Sequence, residues 1–299
     1  MTRCTTTKGL REPRIPKYLQ SLLYLRYREW FLPRLQKRYG DAFAMRVPPY
    51  ADDLVVFASP EAIAEIFRGD PALLHAGEGN QILSDVMGQH SVLLTDETAH
   101  RRIRSLLMPA FSGGALRGYR PMMTDLARTT VNQWQPDTDT AMLPAMNRLT
   151  LDIIITVVFG VTDPAMKAEL IGRLHMITNI SPLTFAGLKQ PALQRIPPWK
   201  TFADNQKRVD ELLYQEIRSR RTATDLASRS DVLSRLLHAA ADSTEAPLTD
   251  AELRDQLISL LLAGHETTAA ALAWTLWELA GHPEIQSTAR AAATTGDDT

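Results

Sequence analysis

The stretch DAELRDQLISLLLAGHETTAAALAWTLWELAGHP, residues 250–283, decides how the rest of the chain is organised. Thr249 and Glu252 have the spacing of a capping box, in which each side chain accepts the backbone N–H of the other, so a helix is predicted to begin after Thr249. Pro283 cannot continue a helix, and we expect the helix to end near Ala280. About 31 residues at a rise of roughly 1.5 Å give a rod about 45 Å long.

The first half of this helix is predicted to be buried. The run from Leu257 to Ala263 is apolar on nearly every side, which is typical of a helix in a large core or in a membrane. His265 and Glu266 would lie near the centre of a bilayer, where charge is costly. We therefore interpret it as a helix that crosses the centre of a soluble domain, with no membrane as a partner.

The polar break within the helix, AGHETT, is the first candidate site. Ala263 and Gly264 each lie one turn before a threonine, Thr267 and Thr268, so small residues and hydroxyls share one face. With the carboxylate of Glu266 beside it, such a groove suits the delivery of water or protons to a bound group. The alternative is a helix bend or a close helix crossing, because the threonine hydroxyls can bond back to carbonyls one turn earlier.

Composition limits the class of protein and its partners. The chain has 299 residues, 44% of them hydrophobic and 22% charged, which is ordinary for a globular protein. A formal net charge of −1 gives no bulk attraction to nucleic acid, and none is expected as a partner. The single cysteine, Cys4, excludes an internal disulfide and fits a reducing compartment. Together with an opening that has no long apolar run, this predicts a cytoplasmic protein.

Outside the long helix, the periodicity is mostly helical. Alternation of Phe43, Met45 and Val47, followed by the apolar run 54–57, predicts two strands paired as a hairpin. Further helices are expected at 24–39, 60–68, 116–134, 142–160, 164–178, around 207–217 and at 231–240. The fold class predicted is mainly α with a small β-hairpin.

The chain is interpreted as one domain spanning residues 1–299. Its ends have little to bury, so residues 1–16 are predicted to be a loose leader and residues 287–299 a disordered tail.

Two basic side chains at helical spacing form the second candidate site. His100 and Arg104 are four residues apart, so one face of a helix presents both. Together they can hold one anionic group. The alternative is a basic helix face in solvent.

Three features in this order resemble the cytochrome P450 family. Residues 54–70 are similar to its first strand pair and the helix that follows. His100-x-x-x-Arg104, continuing through MPAF, resembles the helix that meets the heme propionates, and AGHETT followed by GHPE resembles the distal helix. Over about residues 20–286 the chain resembles the N-terminal two thirds of a soluble bacterial heme-thiolate monooxygenase, with its fold cut off after the long distal helix.

The resemblance implies heme as cofactor and assigns residues to it. His100 and Arg104 would contact the heme propionates. Ala263 and Gly264 would let the distal helix lie against the porphyrin, and Thr268 would line the same groove.

The resemblance also implies a reaction and partners. Glu266 and Thr267 would be the catalytic acid–alcohol pair that passes protons to dioxygen at the heme. The segments 76–95 and 176–198 would border a pocket for a hydrophobic small molecule. Electrons would come from a ferredoxin with its reductase or from a flavin-type donor.

Two parts of the family pattern are missing. The family holds iron through a cysteine thiolate in a glycine-containing loop near its C-terminus. Here the only cysteine is Cys4, and the only Glu-x-x-Arg match, Glu65–Arg68, lies far upstream of the place expected. No metal ligand is therefore assigned, and we infer a truncated or frameshifted product, or a fragment, that does not hold heme by thiolate. It would also leave apolar surface of the long helix uncovered.

Two functions follow from the sequence. The first is a heme-dependent monooxygenase that hydroxylates a hydrophobic small molecule with O2. The alternative is a non-catalytic remnant or a helical protein that binds hydrophobic ligands.

Overall fold

The computed structural model describes residues 9–48, 51–135, 137–188, 190–239 and 245–295. Within them the chain is mainly helical with one two-stranded antiparallel sheet, which confirms the predicted fold class. The backbone divides into two units, residues 1–75 and 76–299, and each has its own hydrophobic core.

The first unit consists of a helix, a hairpin and a second helix. Its elements are α1 (Lys17–Tyr39), β1 (Ala42–Val47), β2 (Ala51–Phe57) and α2 (Pro60–Arg68). The predicted alternation is confirmed, since Phe43, Met45 and Val47 are all buried in the core of this unit. Phe43 pairs with Val56 across the hairpin, and Met45 pairs with Leu54.

Part of the predicted loose leader is ordered. The carbonyl of Arg11 accepts the N–H of Ala44 at 3.1 Å, and Ile15 packs against the core. These contacts extend α1 back to Lys17, before the predicted start at Tyr24. Cys4 lies outside the described residues.

The described residues of the second unit form helices joined by turns and loops, with no strand among them. Its α-helices are α3 (Ala76–Asn80), α4 (Ser84–Met87), α5 (Glu97–Leu107), α6 (Gly113–Val131), α7 (Met142–Ile153), α8 (Pro164–Thr178), α9 (Pro182–Gly187), α10 (Trp199–Arg221), α11 (Val232–Ala239), α12 (Asp250–Gly281) and α13 (Pro283–Thr295). Short 3₁₀ turns span Gln81–Leu83, Met108–Phe111, Leu193–Arg195 and Leu226–Ser228.

The long helix α12 lies at the centre of this unit. It packs against α4, α7 and α10, and Leu253, Leu257, Ile258 and Leu261 have essentially no exposed surface. The capping box is confirmed, because the Thr249 side chain accepts the N–H of Glu252 and the Glu252 carboxylate accepts the N–H of Thr249. The predicted bounds of the helix are correct to one residue.

The predicted helix 142–160 changes character near its end. After α7 the chain widens into a π turn, Ile154–Val158, in which the N–H of Phe159 bonds the carbonyl of Ile154. Gly160 then ends the helix with φ +70°, and a Cβ there would lie only 2.5 Å from the Asp231 carboxyl carbon. Long-range packing of this kind leaves no signal in local periodicity.

Most of the segment predicted to be a disordered tail lies in the last helix of the described chain. Residues 287–295 continue α13, and residues 296–299 lie outside the described part of the chain. Residues 283–294 of this helix are exposed, but Pro283 starts it and its alanines have the highest intrinsic helix propensity. Helical order here does not require burial.

The second half of α12 carries exposed apolar surface, as the sequence predicted. Trp274 and Trp277 are 64% and 63% exposed and lie edge to face, with ring centroids 5.5 Å apart. Among the described residues, α12 is also the one helix long and apolar enough to cross a membrane, although a core helix of a soluble protein passes the same test.

Replacing the cap of α12 tests how far the helix depends on its first turn. We expect Thr249→Ala to lower the free energy of unfolding by about 1 kcal/mol, because backbone N–H groups of the first turn lose their acceptor. The measurement is urea unfolding, with Thr275→Ala, an exposed threonine inside the same helix, as matched control. Equal stability of the two variants would contradict the role of the cap.

Candidate functional site

The AGHETT segment divides between two faces of α12. Ala263, Glu266, Thr267 and Thr268 are exposed, whereas His265 is 1% exposed on the opposite side. The predicted back-bond is present, since the Thr267 hydroxyl donates to the carbonyl of Ala263 at 2.7 Å. The hydroxyl oxygen keeps its lone pairs for a further partner.

Gly264 lies at the border of this open face. It is half-buried, and a Cβ added to it would meet Ile154 Cδ1 at 3.6 Å, which is ordinary van der Waals contact. Gly264 therefore faces the π turn after α7, and Ala263 forms the shallow part of the open face.

The two basic residues lie on α5 and have different surroundings. His100 is half-buried and its Nδ1 lies 3.0 Å from the carbonyl of Val92. Because a carbonyl only accepts, this ring nitrogen carries a hydrogen, and Nε2 is left for a ligand. Arg104 is exposed, and its guanidinium makes no ion pair with any described residue.

A polar clamp fastens the segment before α5 to the first half of α12. The buried Asp255 carboxylate accepts the backbone N–H of His90 at 3.0 Å and contacts the ring Nδ1 of His90 at 2.9 Å. Ser259 Oγ lies 2.6 Å from Ser91 Oγ. Gly88 permits this approach, because a Cβ there would lie 1.9 Å from Asp255 Oδ1 and its φ is +84°.

Gln256 and Val92 complete the link between the two candidate sites. The Gln256 carboxamide accepts the N–H of Val92 at 3.0 Å and donates to the carbonyl of His90. The carbonyl of Val92 in turn accepts from His100. The backbone N–H and carbonyl of one residue, Val92, thus link α12 to His100, and Arg104 lies on the same helix as His100, at the surface.

Sequence reasoning missed the residues of this clamp and also His265. A signal was present, because Ser259 interrupts the apolar run that was predicted to be buried, and Asp255 and Gln256 directly precede that run. Buried polar groups need hydrogen-bond partners. The periodicity of the chain gives no means of finding partners more than 160 positions away.

His265 bonds to the neighbouring helix. Its Nδ1 lies 2.9 Å from the hydroxyl oxygen of Thr150 on α7, a buried contact beside Ala269 and Met146. Burial lowers the pKa of His265, and the nearby His175 lowers it further. The imidazole is therefore neutral near pH 7.

Among the described residues no group of three or more His, Cys, Asp or Glu side chains is arranged to hold a metal ion.

The lowered pKa of His265 makes stability depend on pH. Below the ordinary imidazole pKa of about 6.5 the unfolded chain takes up a proton that the folded chain resists, so folding stability falls as the pH drops. We expect His265→Asn to flatten this fall below about pH 6.5, by at most about 1.4 kcal/mol per pH unit.

Urea unfolding across this pH range measures the effect. His282→Asn, which removes an exposed histidine just after the end of the same helix and leaves His265 in place, is the matched control. If the unfolding free energy of the His265→Asn variant varied with pH as steeply as that of the parent, the buried, neutral state of His265 would be contradicted.

Comparison with known proteins agrees with these features. The model of the family "Cytochrome P450" matches residues 15–295. "Putative cytochrome P450 135A1" of Mycobacterium tuberculosis (strain ATCC 25618 / H37Rv) is 62% identical over 295 residues, which cover 98% of this chain and 66% of the relative. "Putative cytochrome P450 135B1" of the same strain is 36% identical over 280 residues, covering 93% of this chain and 59% of the relative. The chain thus spans about two thirds or less of the length of these relatives.

Solved structures show the same fold. The structure titled "Retinoic acid bound cyanobacterial CYP120A1" has a TM-score of 0.73 at 21% identity, covering 92% of this chain and 61% of that one. The heme domain of cytochrome P450DA has a TM-score of 0.71 at 24% identity, covering 94% and 62%. By the family match and the identity to its relatives, the chain belongs to the cytochrome P450 family.

Proposed function

We propose that this chain supplies the distal face and the anion-binding edge of the heme site of a monooxygenase that acts on a hydrophobic small molecule. The observation that carries the proposal is the Gln256–Val92–His100 link, which ties the helix bearing AGHETT to the helix bearing Arg104. Cytochrome P450 membership supports heme chemistry in general.

The basic edge fits the carboxylates of a porphyrin. The exposed guanidinium of Arg104 would form a charge-assisted hydrogen bond with one propionate. His100 has its Nδ1 hydrogen committed to Val92, so its Nε2 would donate to a carboxylate only when the ring carries both protons.

The open face of α12 fits the flat side of a porphyrin. Ala263 offers no bulk there, Thr268 lines the same side, and Gly264 keeps the helix narrow at its border. When bound, heme would supply the activation of O2. Glu266 would then hold and pass on a proton, and the Thr267 oxygen would accept a hydrogen bond beside it while the Thr267 hydroxyl hydrogen stays directed to the carbonyl of Ala263.

The iron ligand has no counterpart among the described residues. The one cysteine of the chain is Cys4, which lies outside them, and no described cluster is suited to a metal. The distal and propionate sides therefore fit heme and the thiolate side does not, so we assign no metal-ligating residue and derive no step at the iron.

The remaining assignments follow from the family and stay proposals. Residues 76–95 and 176–198 would border the substrate pocket, and electrons would come from a ferredoxin with its reductase or from a flavin-type donor. The protein would act in the cytoplasm, with neither nucleic acid nor membrane as a partner.

One observation favours the alternative of a non-catalytic protein that binds hydrophobic ligands. A hollow of about 520 Å³ lies between α7 and the second half of α12, lined by Leu143, Ala270, Ala273, Trp274 and Trp277. An apolar ligand can bind there without heme.

Titration of the 299-residue chain with hemin separates the two functions. The proposal predicts that the chain takes up one equivalent of hemin, which is measured by the Soret absorption. It also predicts that Arg104→Ala weakens affinity about tenfold, the effect of one charge-assisted hydrogen bond. Arg117→Ala, which removes an exposed arginine on α6, should bind hemin like the parent.

Equal hemin affinity in the two arginine variants would contradict the proposed role of Arg104. If the chain takes up no hemin but binds an apolar fluorescent dye, and Trp274→Ala abolishes dye binding, the alternative function is the correct one.

A further inference from the structure

The buried histidine of the AGHETT segment lies on the opposite side of α12 from Thr267 of the proposed catalytic pair. At about 100° per residue, His265 is about 200° around the helix from Thr267 and about 100° from Glu266. The exposures agree, since His265 is 1% exposed whereas Glu266 and Thr267 both face solvent. Any rotation of α12 that moves Thr267 must therefore also move His265.

The hydrogen-bond partners of Thr150 define the direction of the bond to His265. The Thr150 hydroxyl has one hydrogen, and its oxygen lies 2.9 Å from the carbonyl oxygen of Met146 and 3.2 Å from that of Asn147. Carbonyls only accept, so the hydroxyl hydrogen points to them. The hydroxyl oxygen therefore accepts Nδ1–H from His265, whose Nε2 carries no hydrogen in the neutral ring.

The bond between His265 and Thr150 is a directional contact in the second half of α12, which otherwise packs against its neighbours through apolar side chains. The polar clamp and the ion pairs that join α12 to other helices lie between Asp250 and Ser259. Beyond Ser259, within the described residues, the hydrogen bond from His265 is the one by which an α12 side chain reaches another helix. Nearby contacts of Ala269 and Leu272 with α7 are apolar and do not fix a rotation as sharply.

We propose that His265 is a positioning residue: its bond to Thr150 sets the rotation of α12 about its own axis and so directs Glu266 and Thr267 onto the open face. The proposal rests on the proposed function, because that function is what makes the open face a catalytic one. The geometry itself can be tested without heme.

Cysteine labelling measures the rotation directly. In a Cys4→Ser background, Thr267→Cys places a thiol on the open face and Ala269→Cys places one on the buried face. An alkylating reagent should modify position 267 much faster than position 269. Thr150→Val keeps the shape of the side chain but removes the acceptor, and we expect it to reduce the ratio of the two rates about tenfold.

Conservative variants separate positioning from simple packing. His265→Asn keeps an N–H donor close to the place of Nδ1 and should preserve the parent ratio, as should Thr150→Ser. His265→Gln carries its donor one bond further out and should reduce the ratio of the labelling rates at positions 267 and 269. His265→Ala should reduce it as well.

The control for unfolding is Leu257→Cys, in the first half of the same helix, which should stay protected in every variant. A parent ratio in Thr150→Val and His265→Ala would overturn the proposal. If a thiol at position 257 reacted as fast as the thiol at position 267 in those variants, that result would also overturn the proposal. The Thr150–His265 bond would then be needed for the whole fold and not for the rotation of α12 alone. Failure of hemin binding with the labelling pattern intact would instead reject the proposed function alone.

Discussion

The structure depends on one constraint, the burial of polar side chains in the first half of α12. Asp255, Gln256 and Ser259 lie among leucines with almost no exposed surface, where an unpaired polar group is costly. Their partners come from residues 90–92, so that segment must run along α12. The requirement to satisfy buried hydrogen bonds therefore brings His100, and the helix that carries it, to the central helix.

The two halves of α12 are held in different ways. The first half is fixed by the polar clamp and by a core that surrounds it. The second half packs on α7 along one side through Ala269 and its neighbours, and leaves the other side open. The proposed catalytic face lies just after the point where the enclosed half of α12 ends and the half with one open side begins. There the helix is anchored by its first half and can still present side chains to a ligand. His265 is placed at this boundary.

Sequence was sufficient for features encoded locally. The capping box of Thr249 and Glu252, the strand alternation of Phe43, Met45 and Val47 and the length of α12 all follow from short-range rules, and the structure agrees. Recognition of AGHETT and His100-x-x-x-Arg104 gave the family. The π turn and the Thr150–His265 bond were not predictable, because they arise from contacts between segments that are distant along the chain. Disorder of the tail was predicted from its lack of apolar residues, although alanine favours a helix without burial.

The most direct test of the account is whether one porphyrin touches both patches at once. Isotope-labelled chain with one equivalent of ferric heme, compared with zinc protoporphyrin, reports this through paramagnetic broadening of amide NMR signals. The account predicts that the amides of Thr267 and Arg104 both broaden with ferric heme and neither broadens with the zinc compound. Broadening confined to one of these two residues, or found only around Trp274 and Trp277, would contradict it.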